Sequence, residues 1–153
     1  VECRTEVGLS LILAHGKPIA PGQWHHIACV SDGQVLRAFV DGEPGLPTTL
    51  TLEAPPAAGL ILLGLRSGPT APFAGQVDEL RIWSVARTPQ QLEALRMVSI
   101  AAGTAAGLEG AWNMNEGTGQ TAADATGRDN DFVLGNEATV DPRDPGWSTD
   151  VPF

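Results

Sequence analysis

Apolar residues along the chain come in short runs and not at helical spacing. LSLILA (9–14), HHIACVS (25–31), VLRAFVDG (35–42), TTLTLE (48–53), LILLGLR (60–66) and GQVDELRIWSV (75–85) are punctuated by the chain's recurring Gly and Pro. Runs of this length with turn residues between them predict β-strands. LEGAWNM (108–114) and DFVLG (131–135) predict two more, separated by the turn-rich NEGTGQTAADATGRDN. Between HHIACVS and QVLRAFV lies Ser31-Asp32-Gly33, and Asp-Gly supplies the positive φ of a tight β-hairpin. A second Asp-Gly, Asp41-Gly42, ends the next strand and leads into the proline-bearing EPGLP loop.

One segment breaks this pattern. In TPQQLEALRM, Thr88 is a helix cap, Pro89 suits the first helical position and Gln91 completes a capping box. Leu92 and Leu95 then share one face, which predicts a short helix packed on the strands. VSIAAGTAA (98–106) reads as a tether, and the closing DPRDPGWSTDVPF as a surface segment anchored by Trp147 and Phe153. The prediction is an all-β, antiparallel two-sheet sandwich with one short helix, forming a single domain over residues 1–153.

Charge narrows the function. Nine Lys and Arg against 18 Asp and Glu give a net charge of −9, which repels nucleic-acid phosphates and anionic lipid headgroups. No run reaches the ~18 apolar residues of a membrane span, so membrane insertion is not expected. VECRTEVG lacks the basic end and apolar middle of a signal peptide, so any export signal is expected to have been removed or left out. Cys3 and Cys29 are the two cysteines. They either bridge, which implies an oxidising compartment, or serve as small buried hydrophobes.

The phrases GQWHHIACVSDG, LRAFVDG, FAGQVDELRIWSVART, GLEGAWNMNEGTG, DATGRDN and PGWSTDVPF, in this order, resemble a bacterial laminin G-like, concanavalin A-like jelly-roll domain of secreted multidomain proteins. The resemblance runs from about Gly22 to Phe153. It implies a jelly-roll sandwich, a secreted or cell-surface location, and a non-catalytic binding or adhesion module for carbohydrate or a protein surface. Two other readings stay open: a structural spacer or assembly subunit completed by another chain's strands, and, less favoured, a glycoside hydrolase. Such domains usually begin with strands carrying phrases like ALxFDG and FTxExW, which are not found here. The chain is then a fragment, a compact variant, or a subunit completed from elsewhere. Without those strands a sheet edge is left unpaired, so self-association, or a partner chain covering that edge, is expected.

Candidate chemistry is sparse. His25 and His26 are adjacent, so on a strand they face opposite ways and read as scaffold. Asp78 and Glu79 fail as a glycosidase pair for the same reason, while Glu79 and Arg81 share a face and are expected to pair. Asp124, Asp129, Asn130 and Asp131 gather oxygen ligands in DATGRDND, making calcium the one cofactor to consider. The competing and favoured reading is that these residues form turns. Glu116 is expected to bond nearby amides at the Gly117 and Gly119 bend. The resemblance implies that Trp24, Trp83 and Trp112 belong to scaffold strands, leaving Trp147 as the candidate for ligand contact, with packing of the tail as its favoured role.

Overall fold

A computed structural model describes residues 2–4, 10–12, 17–49, 73–101, 105–135 and 139–152. They fall into two compact units, Val1–Gln76 and Val77–Phe153. The predicted strand LILLGLR and the latter part of TTLTLE lie outside the described residues.

In the first unit, β1 (Glu2–Arg4) and β2 (Ser10–Ile12) form an antiparallel pair with Cys3 opposite Leu11. The predicted hairpin is β3 (Ile27–Ser31) and β4 (Val35–Val40), antiparallel from Ile27 opposite Val40 to Ser31 opposite Leu36. Its turn is built as the sequence requires. Gly33 has φ +92°, and Asp32 Oδ1 accepts the amides of Gln34 and Val35 at 2.9 and 2.8 Å. Residues alternate across β4, so Leu36, Ala38 and Val40 share one face, and all three are buried together with Phe39. EPGLP is not wholly loop. Glu43–Pro44 adds to β4 as β5, and Thr48–Thr49 pairs with the start of β4 as β6. Pro44 is tolerated because β5 stands at the end of the strand order, where a missing N–H is cheap.

In the second unit, β7 is Leu80–Trp83, shorter than the predicted 75–85 run. The reason is local: Glu79 takes φ +52°, a left-handed conformation that ends a strand, and Asp78 Oδ1 accepts the Glu79 amide at 2.8 Å. Asp78 and Glu79 thus precede β7 at a kink and are not neighbours within a strand. The helix α1 (Pro89–Leu95) starts as its sequence dictates, with Thr88 Oγ1 accepting from Gln91 N and Gln91 Oε1 from Thr88 N. At its other end Arg81 donates to the carbonyls of Leu95 and Val98 while pairing with Glu79 at 2.8 Å. A cation is thereby bound to the negative end of the helix dipole. Leu92 and Leu95 are half-buried.

β8 (Leu108–Trp112) pairs antiparallel with β7, with an irregularity between Ile82 and Trp83. Leu108, Ala111 and Trp112 form the core there, with Ala122 of β9 (Thr121–Ala122). The Trp112 ring lies so close over Gly110 that any Cβ there would collide with it, so the glycine is a packing requirement. Trp112 also meets Phe132 of β10 (Phe132–Val133) edge to face at 4.6 Å, and its Nε1 donates to the Asn130 carbonyl. β9 and β10 pair antiparallel.

Candidate functional site

The end of β8 opens into a depression of about 320 Å³, lined by Asn113, Asn115, Glu116, Ala123 and Ala125. Its walls are held in place from beneath. Asp124 is 7% exposed. Its Oδ1 accepts the amides of Ala111 and Thr126 at 3.1 and 2.9 Å and the Thr126 hydroxyl at 2.7 Å. Its Oδ2 lies 2.8 Å from that hydroxyl and accepts from Asn130 Nδ2 at 3.2 Å. Burial pushes the Asp124 carboxyl upward, but these donors outweigh it and hold it below the ordinary value of 3.8. The same carboxylate therefore locks residues 123–126 against β8, where Ala125 N also donates to Ala111 O at 2.7 Å.

The rim is polar. Glu116 Oε1 accepts the Ala123 amide at 2.8 Å, as expected from its place beside two glycines. The exposed Asn115 side chain bonds to none of the described residues. Asn113 Nδ2 reaches the Ile100 carbonyl only at 3.4 Å, and its Oδ1 is buried without a donor. Between the two asparagines Met114 takes φ +53°, a conformation a non-glycine residue adopts at a cost. Sequence reasoning does not single out Asn113 and Asn115. The available signal is NMNE, amides and a carboxylate crowded between a strand and a glycine bend.

The residues considered as calcium ligands serve the chain itself. Asp124 is saturated as described, Asp131 Oδ1 accepts the Asp124 amide at 2.8 Å, and the Asn130 carbonyl takes Trp112 Nε1. Asp129 is exposed at φ +59°. Among the described residues no group of three or more His, Cys, Asp or Glu side chains is gathered for a metal. Trp147 is half-buried, and its Nε1 donates to the Gly119 carbonyl at 2.9 Å, tying the tail to the Glu116–Gln120 bend. It is not among the residues lining the depression.

The histidines belong to a different construction in the first unit. His25 Nδ1 lies 2.9 Å from Asp41 Oδ2 and Nε2 lies 3.2 Å from the Ala20 carbonyl, so both ring nitrogens are engaged. Asp41 also accepts the His26 amide at 3.0 Å and stands 3.3 Å from Lys17 Nζ. Burial raises the Asp41 carboxyl, and the bonds from His25, His26 and Lys17 more than reverse this, leaving it below 3.8. This cluster clamps the entry to β3 onto the turn after β4. Cys29 of β3 is disulfide-bonded, and Cys3 is the chain's one other cysteine.

The described strands form antiparallel sheets beside one short capped helix. The chain belongs to the concanavalin A-like lectin/glucanases superfamily, whose laminin G class matches residues 4–93. It is similar to a candidate carbohydrate-binding protein from Bacteroides ovatus, with 27% identity and a TM-score of 0.63 over 84% of this chain and 38% of that one. It also resembles the sushi, von Willebrand factor type A, EGF and pentraxin domain-containing protein 1 of Rattus norvegicus and of Mus musculus. Each is 33% identical over 85 residues, 48% of this chain. The match spans 2% of the length of those relatives. Among the described residues no helix is long and apolar enough to cross a membrane.

Proposed function

We propose that the chain is a non-catalytic binding module, most simply for carbohydrate, presented in an oxidising, extracellular setting. The observation that carries the reading is the depression at the end of β8, lined by two neutral amides, one carboxylate and two alanines, on a fold shared with a candidate carbohydrate-binding protein. Hydroxyl-rich ligands are recognised by such side chains acting as hydrogen-bond partners. The disulfide at Cys29 supports the compartment.

A hydrolase finds little support. Glycoside hydrolysis needs two carboxyl groups across a cleft, whereas Glu79 is paired with Arg81 and Asp78 is bonded to the Glu79 amide. A protein surface is the second ligand class, and self-association through an open sheet edge is part of the same reading, checked by light scattering in solution. A glycan microarray probed with the intact chain tests the function. Saturable binding to a defined set of glycans is expected, and uniform absence of binding leaves the spacer role in its place.

A further inference from the structure

Resting on that reading, we infer that the depression is itself the sugar subsite, and that it takes one neutral pyranose ring through a pair of its hydroxyls. Three observations converge on the space between Asn113 and Glu116. Two rim groups have bonding capacity to spare: Asn115 bonds to none of the described residues, and Glu116 spends Oε1 on the Ala123 amide. Next to them Asn113 holds a buried oxygen with no donor while its nitrogen makes one long bond of 3.4 Å. An unmet acceptor out of water is unfavourable. A ligand hydroxyl that draws the weakly held amide toward the depression supplies the missing donor. Finally, Met114 is kept at φ +53° between the two asparagines, and backbone held in such a conformation is concentrated at binding sites.

The chemistry of the rim selects the ligand. An unsatisfied amide oxygen and a carboxylate are acceptors, so the ligand must present donors, and adjacent hydroxyls do so while also accepting from the Asn115 amide. Ala123 and Ala125 offer methyl groups to the C–H face of a ring. Glu116 and the net charge of −9 disfavour sialylated or sulfated sugars. A volume of about 320 Å³ suits a sugar ring and far exceeds a single cation. Calcium would also need six to eight oxygens, and only one carboxylate lines the depression. The walls are built in advance, since Asp124 fixes residues 123–126, so little ordering is required on binding.

The test uses the intact chain on an array of neutral, sialylated and sulfated glycans, with calcium or with EDTA, alongside Asn115→Ala and Glu116→Gln. Asn115 is exposed, and the amide introduced by Glu116→Gln retains an oxygen for the Ala123 N–H, so both variants should melt with the parent. Binding to neutral terminal sugars, unaffected by EDTA and weakened at least tenfold in each variant, is the expected result. Binding that persists in both variants, depends on calcium, or prefers acidic glycans overturns the subsite while leaving a glycan-binding role intact. No binding to any glycan by the parent chain overturns both.

Discussion

Replacing Asp124 with Ala removes the carboxylate that joins residues 123–126 to β8. Asp124 is 7% exposed and Ala111, whose amide it accepts, is 1% exposed. Stranding one buried N–H costs about 1–3 kcal/mol, and hydrogen bonds to a charged group are worth about 1.5–3 kcal/mol. These terms share one side chain and do not simply add. Water can reach the half-buried Thr126 once the carboxylate is gone, which recovers part of the loss. The expected destabilisation is about 3 kcal/mol, in the range for breaking a buried polar network. Asp124→Asn keeps one oxygen for the Ala111 and Thr126 amides but turns an NH₂ toward Asn130 Nδ2, so its cost should be about 1–2 kcal/mol. Urea unfolding followed by tryptophan fluorescence measures both, because Trp112 sits on the affected strand and its Nε1 donates to Asn130. A loss below about 1 kcal/mol in Asp124→Ala, with an unchanged urea dependence, would refute the idea that this carboxylate holds the unit together.

Acid should destabilise the parent chain. Asp41 and Asp124 are held below 3.8 in the folded state, so their contribution is complete above the unfolded value and is lost as pH falls through the folded ones. Asp78 acts oppositely: burial above all raises its carboxyl, so its ionisation weakens folding as pH rises through that range. Asp32 is lowered too, by the amides of Gln34 and Val35, so with three groups against one the unfolding free energy should fall on acidification below about pH 4, less steeply in Asp124→Asn. Reduction of the Cys29 disulfide should lower stability by about 2–4 kcal/mol; a thiol assay that finds a free cysteine in the unreduced chain would contradict the bond. Millimolar calcium should leave the melting temperature unchanged, because the Asp124 and Asp131 oxygens already serve chain donors. A rise abolished by Asp129→Ala would make DATGRDND a calcium site. Arg81→Met should cost about 2–3 kcal/mol by urea unfolding, since it leaves the nearly buried Glu79 carboxylate without its cation.

Short-range rules carry much of the architecture. The Asp32-Gly33 turn, the alternation in β4 and the Thr88–Gln91 capping box each depend on residues a few positions apart, so periodicity and turn chemistry are enough to read them. The all-β antiparallel class follows from the same signals. What fails is also local in its cause. The run 75–85 reads as one strand because Gln76 to Trp83 has strand composition, yet Glu79 adopts φ +52° and β7 begins only at Leu80. Composition does not report a single left-handed residue.

The candidate site needed the third dimension. Asn113 and Asn115 look like the end of a strand, and nothing in NMNE states that Ala123 and Ala125 return to line a depression with them. That return is made by Asp124, thirteen residues from Ala111, whose carboxylate reads equally well as a metal ligand. An isolated sequence cannot distinguish the two, because an acceptor oxygen looks the same whether a cation or an amide will occupy it. Only the folded chain, by bringing the Ala111 and Thr126 donors to that oxygen, decided that this carboxylate is spent within the chain.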